Sequence, residues 1–141
     1  MTRAGEYSEK LVSGGSLVVD QQGWCIKYHF YGPDFRYKVE WVTIPSPRVD
    51  EYIQAYQHNY EKYEELVQSL PTDGKFETRG ECGMTIVVGG YRNDIHITYT
   101  HYSCMGNFPI KTRDQLSQVV ADYEYAKRRA EEVYKLLFGK S

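Results

Sequence analysis

The stretch TRDQLSQVVADYEYAKRRAEEVYKLLF, Thr112 to Phe138, decides the fold reading, because it is the longest uninterrupted helical pattern in the chain. Leu116, Val119, Val120, Tyr123, Ala126, Ala130, Val133, Tyr134 and Leu137 recur at helical spacing and form one apolar stripe. Thr112 and Gln115 have the spacing of a capping box, which satisfies two free N–H groups at a helix start. Asp114 stands in the first turn, while Lys127, Arg128, Arg129 and Lys135 fall towards the end, so charge follows the helix dipole. Gly139 supplies the stop.

Upstream, the periodicity changes from helical to alternating. Ser16–Asp20 is a short strand, and Gln21-Gln22-Gly23 a turn. Trp24–Tyr31 alternates, with Trp24, Ile26, Tyr28 and Phe30 on one face and Cys25, Lys27, His29 and Tyr31 on the other. After the turn at Gly32-Pro33-Asp34, Arg36–Ile44 alternates again, with Tyr37, Val39 and Trp41 against Lys38 and Glu40. Pro45-Ser46-Pro47 then starts a helix, with Ser46 as N-cap and Pro47 in its first position. Its apolar stripe runs from Val49 through Tyr52, Ile53, Tyr56, Tyr60 and Tyr63 to Val67 and Leu70.

Pro71-Thr72-Asp73-Gly74 breaks that helix, and the order of events recurs: strands over Lys75–Glu81, Met84–Val88 and Asp94–Ser103 precede the opening helix. A shift of 60 residues aligns Gly23 with Gly83, Ile26 with Ile86, Tyr31 with Tyr91 and Asp34 with Asp94. This points to a duplicated β-β-β-α unit, with half-repeats 16–74 and 75–141, although any meander followed by a helix looks somewhat repetitive. The expected architecture is an α+β two-layer sandwich: an antiparallel sheet of about six strands with both long helices on one face. Residues 1–15 read as a flexible polar leader, and 16–141 as one domain.

Composition narrows the class of function. With 26% charged and 41% hydrophobic residues, the 141-residue chain is globular, and no run approaches the roughly 20 apolar residues that cross a bilayer. A soluble cytoplasmic protein is the default expectation, and three irregularly spaced cysteines agree with a reducing setting. A net charge of −2 argues against a nonspecific nucleic-acid binder. The charge is uneven: residues 1–74 carry seven basic against eleven acidic side chains, and 75–141 ten against eight, giving −4 and +2. Fourteen tyrosines favour interfaces, where a wide apolar ring and a polar tip are both of use.

No catalytic set is legible. In Asp94-Ile95-His96-Ile97-Thr98, the His-x-Thr pair resembles half the signature of the two-histidine phosphoesterases. That resemblance implies a second such pair on a distant strand; here the other match, His101-Tyr102-Ser103, lies five residues on, facing the opposite way. The alternative is an ordinary solvent-facing strand histidine. His29, His58, His96, His101 and the cysteines show no close ligand spacing, so neither a metal nor a cofactor is expected. Cys25 and Cys104 read as small apolar fillers. Gly89-Gly90 is a hairpin turn, with Arg92 and Asn93 exposed within it.

Two surfaces remain. The outward side of the last helix gathers Tyr125, Arg128, Arg129, Glu132 and Leu136; Tyr125 and Arg129 can stack at i, i+4, and Leu136 faces water without evident reason. A solvated helix face is the ordinary reading, and a contact patch the functional one. The sheet face left open by the helices would carry Lys27, His29, Tyr31, Lys38, Glu40, His96, Thr98 and Thr100. The expectation is therefore a small non-enzymatic binding protein acting through a Tyr/Arg-rich surface, as a homo-oligomer and towards another protein. Phage or mobile-element anti-defence proteins and immunity-type inhibitors are of this type. Its alternatives are sequestration of a nucleotide or phosphorylated ligand by Arg92, Arg128 and Arg129, and a phosphodiesterase using His96.

Overall fold

The structure, a computed structural model, describes residues 5–31, 38–71, 73–89, 93–97 and 109–139. Among these residues, seven strands and two α-helices follow in the order β1 (Tyr7–Lys10), β2 (Ser16–Asp20), β3 (Gly23–Tyr31), β4 (Lys38–Pro45), α1 (Val49–Ser69), β5 (Lys75–Arg79), β6 (Met84–Gly89), β7 (Asp94–Ile97) and α2 (Arg113–Phe138). The chain is α+β. Among the described residues its strands make two antiparallel sheets, β1-β2-β3-β4 and β5-β6-β7, in place of the single sheet of about six strands expected. Alternation identifies a strand and its buried face, but carries no information on which edges meet.

The chain divides into two compact units, Met1–Val49 with Gln118–Ser141, and Asp50–Ser117. These cut the chain elsewhere than the half-repeats 16–74 and 75–141. The first sheet shares a unit with most of α2, and the second sheet with α1, a division that lends the duplicated unit no support.

In the discontinuous unit, β2 and β3 pair Leu17 with Ile26 and Val19 with Trp24, and β3 pairs Ile26 with Ile44 of β4. Leu17, Val19, Ile26 and Ile44 are fully buried, as are Tyr123, Ala126 and Ala130 of α2. Between Tyr28 and His29 the β3–β4 register slips by one residue, so Val42 and Ile44 oppose Tyr28 and Ile26 while Val39 opposes Phe30. That irregularity breaks the simple alternation expected along β4, and Tyr37 lies outside the described residues. Tyr7–Lys10, expected to be loose leader, pairs with β2 from Tyr7↔Val19 to Lys10↔Ser16.

In the continuous unit, α1 buries Tyr52, Ile53, Ala55, Tyr56, Tyr60 and Tyr63, while Val67 is exposed. Ser46–Arg48 forms a 3-10 turn without a side-chain cap, so Ser46 is not the N-cap of α1. The first turn of α2 belongs to this unit. Thr112 Oγ1 accepts the Gln115 N–H at 3.2 Å, and Gln115 Oε1 accepts the Thr112 N–H at 3.1 Å, completing the capping box. Arg113 binds Glu64 at 2.5 Å and lies 5.5 Å over the Tyr60 ring. Strands β6 and β7 are buried on both faces apart from Gly89, while β5 is largely exposed, so His96, expected on an open polar face, is buried; Thr98 and Thr100 lie outside the described residues. Among the described residues, no helix is long and apolar enough to cross a membrane.

Candidate functional site

The outward face of α2 meets β1. Tyr7 and Glu9 alternate with Ser8 and Lys10 along β1, which puts both on the side where Tyr125 and Arg129 arrive. The Tyr125 hydroxyl donates to Glu9 Oε2, Tyr7 donates to Oε1 at 2.7 Å, and Arg129 Nε reaches Oε1 at 3.3 Å. The Arg129 guanidinium also lies 5.9 Å over the Tyr7 ring and binds Glu132 at 3.1 Å. Partial burial pulls the Glu9 carboxyl up, but hydrogen bonds from Tyr125, Tyr7 and Arg129, with the Arg129 charge, outweigh it and hold the group below its ordinary value. The bond to Glu9 raises the Tyr125 phenol, and bonds to Tyr7, Glu132 and Glu9 raise Arg129.

The expected i, i+4 stack of Tyr125 on Arg129 is thus replaced by a shared grip on Glu9. The two side chains fasten an edge strand, and their donors are occupied inside the protein. Nothing in the polar segment EYSEK advertises this, beyond the alternation of Tyr7, Glu9 and buried Leu11.

A second carboxylate is held close by. Asp122, 4% exposed, accepts the Ser13 N–H at 2.7 Å, the Ser13 hydroxyl, and Gln118 Nε2 at 3.1 Å. This ties the Leu11–Gly15 turn to α2, and the turn closes on itself with Leu11 N–H donating to Gly15 O at 3.0 Å. Gly15 has φ +78°, and a Cβ there would stand 2.9 Å from the Tyr28 ring. An acid inside an apolar stripe, four residues after Gln118, was the one available signal for this contact.

Between β1, that turn and α2 runs a groove of about 440 Å³, whose walls include Lys10, Val12, Gln118, Tyr125 and Arg128. Val12 is 81% exposed. Glu9 and Asp122 also line it, and both accept the bonds just described. Lys10 and Arg128 have no ion-pair partner among the described residues, whereas Glu9 is offset by Arg129 and Asp122 is nearly buried. Of the residues expected on this face, Tyr125 and Arg128 line the groove, Arg129 clasps Glu9 behind it, and Leu136 stands apart near the end of α2, 79% exposed.

The remaining candidates belong to the other unit. Asn93 is exposed, but its Oδ1 accepts the Gly89 N–H at 2.5 Å and its carbonyl accepts from Tyr63 at 3.4 Å, so it works as a turn residue. Arg92, Thr98, Thr100, His101, Ser103 and Cys104 lie outside the described residues. His96 is not solvent-facing: it is 4% exposed, with Nδ1 2.6 Å from Oδ1 of the fully buried Asp94. Among the described residues, no three His, Cys, Asp or Glu side chains are grouped to hold a metal ion.

No protein-family model matches the chain. No curated protein and no solved structure matches it either.

Proposed function

We propose that the chain is a small non-enzymatic binding protein that engages another protein through the groove between β1 and α2, in the manner of an anti-defence or immunity-type inhibitor. The observation that carries this reading is one groove lined by Tyr125, the exposed Val12 and the cations Lys10 and Arg128, which have no ion-pair partner among the described residues. Aromatic and arginine side chains beside an exposed apolar residue are the composition of binding hot spots. The experiment compares proteins retained from cells by the immobilised chain and by its Arg128→Glu variant. A partner held by the first and lost from the second is expected. If reversal at Arg128 changes nothing that is captured, the groove is not the contact.

A second reading has one observation in its favour: Arg128 and Tyr125 line the same groove, a combination that suits a phosphorylated base as well as a carboxylate. A nucleotide at 100 times its dissociation constant stabilises a protein by about 2.7 kcal/mol, which a thermal-shift panel reads directly. No shift with any nucleotide, together with a captured partner, decides for the protein-binding reading. The phosphodiesterase reading draws no such support, because His96 is buried beside Asp94.

A further inference from the structure

Strand β1 is an edge. Among the described residues it pairs with β2 alone, and its open side borders the groove. The direction of its free backbone groups follows from the turn. Leu11 and Gly15 form a hydrogen-bonded pair through the Leu11 N–H, and in an antiparallel ladder such pairs alternate with pairs whose N–H and C=O point away from each other. Counting back along β1, Glu9 and Tyr7 bond to β2, while Ser8 and Lys10 turn their N–H and C=O groups to the open side.

An unpaired edge is a template for another strand, and proteins usually blunt it with a charge, a proline or a cover. Here the edge is held flat against β2 and pinned from α2 through Glu9, and no proline interrupts it. Beside it, Gln118, Tyr125 and Arg128, spaced along one helix face, form the groove's other wall.

We propose that an extended, carboxylate-bearing segment of a partner protein adds to the open edge of β1 as a fifth strand and lies in the groove beside α2. Its backbone pairs with Ser8 and Lys10, and alternate side chains enter the groove, where a carboxylate meets Arg128 and an apolar residue covers Val12. The charge selects the occupant. Arg129 offsets the charge of Glu9 and Asp122 is only 4% exposed, so Arg128, without an ion-pair partner among the described residues, is the charge that a segment beside α2 meets, and it attracts an acidic one. This inference rests on the protein-binding reading and narrows it to a mode and a partner chemistry.

The test uses synthetic peptides of about nine residues, long enough to span the edge, alternating Thr and Val with Glu, Gln or Lys at the central groove-facing positions. The Glu peptide is expected to bind the full chain about tenfold or more tighter than the Lys peptide, and to protect the Ser8 and Lys10 amides from hydrogen exchange. Ser8→Pro removes an N–H that β2 does not use, so it spares the ladder while blocking the edge, and binding is lost. N-methylation of the peptide amides facing β1 does the same from the other side, and serves if the Ser8→Pro chain does not fold. Arg128→Glu reverses the preference between the Glu and Lys peptides. Equal binding of Glu and Lys peptides, or Glu-peptide binding that survives both blocks without amide protection, overturns strand addition. So does a dimer that Ser8→Pro dissolves, since the edge would then belong to a second copy. A cellular partner that depends on Arg128 and ignores Ser8→Pro leaves the broader reading intact and removes only the strand.

Discussion

The hydroxyls of Tyr28 and Tyr123 lie 2.6 Å apart, buried, although 95 residues separate them in the chain. One sits on β3 and the other on α2, so this bond joins sheet and helix inside the discontinuous unit. Each Tyr→Phe change is expected to cost about 1–3 kcal/mol, the range for removing a partner from a buried polar group. The double variant should cost less than the sum, by about 0.5 kcal/mol or more, which chemical denaturation of all four proteins measures. Strict additivity would show that the two hydroxyls do not act on each other.

Asn59 is a buried side chain that works as a clamp. Its amide donates to Glu81 O at 3.1 Å and accepts the Glu81 N–H at 2.9 Å, holding the turn before β6. Asn59→Ala should lower stability by about 1–3 kcal/mol. Gly80→Ala attacks the same contact, because a Cβ there would lie 2.3 Å from Asn59 Oδ1. Melting midpoints that fall for one variant and not the other would separate the clamp from the turn it holds.

Glu9 makes stability depend on acid. Its carboxyl is held below the ordinary value of 4.5, so the unfolded chain takes up the proton first as pH falls. The stabilisation is fully present above that value and disappears as pH drops through the lower, folded-state value. Glu9→Gln is therefore expected to melt earlier than the native chain at neutral pH, and the gap should narrow below about pH 4.5. A gap that stays constant from neutral to acid pH would mean that the carboxylate charge is not what Tyr125 and Arg129 grip.

Ala130 has no room to grow. It is fully buried on α2, as is Ala126 one turn earlier. Ala130→Leu should destabilise the chain by about 1–3 kcal/mol through overpacking, and an unchanged denaturation midpoint would contradict the close packing of that position.

What could be read from the sequence was what is decided locally. The capping box of Thr112 and Gln115, the stop at Gly139, and strands β2, β3 and β6 all depend on residues a few positions apart. Gly139 adopts φ +68° and donates to Lys135 O at 2.8 Å, as a helix-ending glycine does. Partnership was not legible. Tyr7–Lys10 is too polar to announce a strand, and it becomes one because β2 offers an edge and Tyr125 and Arg129 grip Glu9. Asp122 has its partner Ser13 109 residues away, beyond the reach of any local pattern. The outer face of α2 was found from helical spacing, but spacing could not say that Arg129 is occupied while Arg128 has no ion-pair partner among the described residues.

The discontinuity of the first unit has a consequence for how the protein is made. The ribosome finishes β1 to β4 early, yet Tyr123 and the rest of α2 leave it only after residues 50–117 have been synthesised. At roughly 5–20 residues per second, the nascent sheet waits several seconds for its helix, while the second unit can complete itself within one continuous segment. A newborn chain therefore carries Leu17, Val19 and Ile26 without the helix that completes their unit, and it is in that interval, more than in the finished molecule, that a chaperone has something to hold.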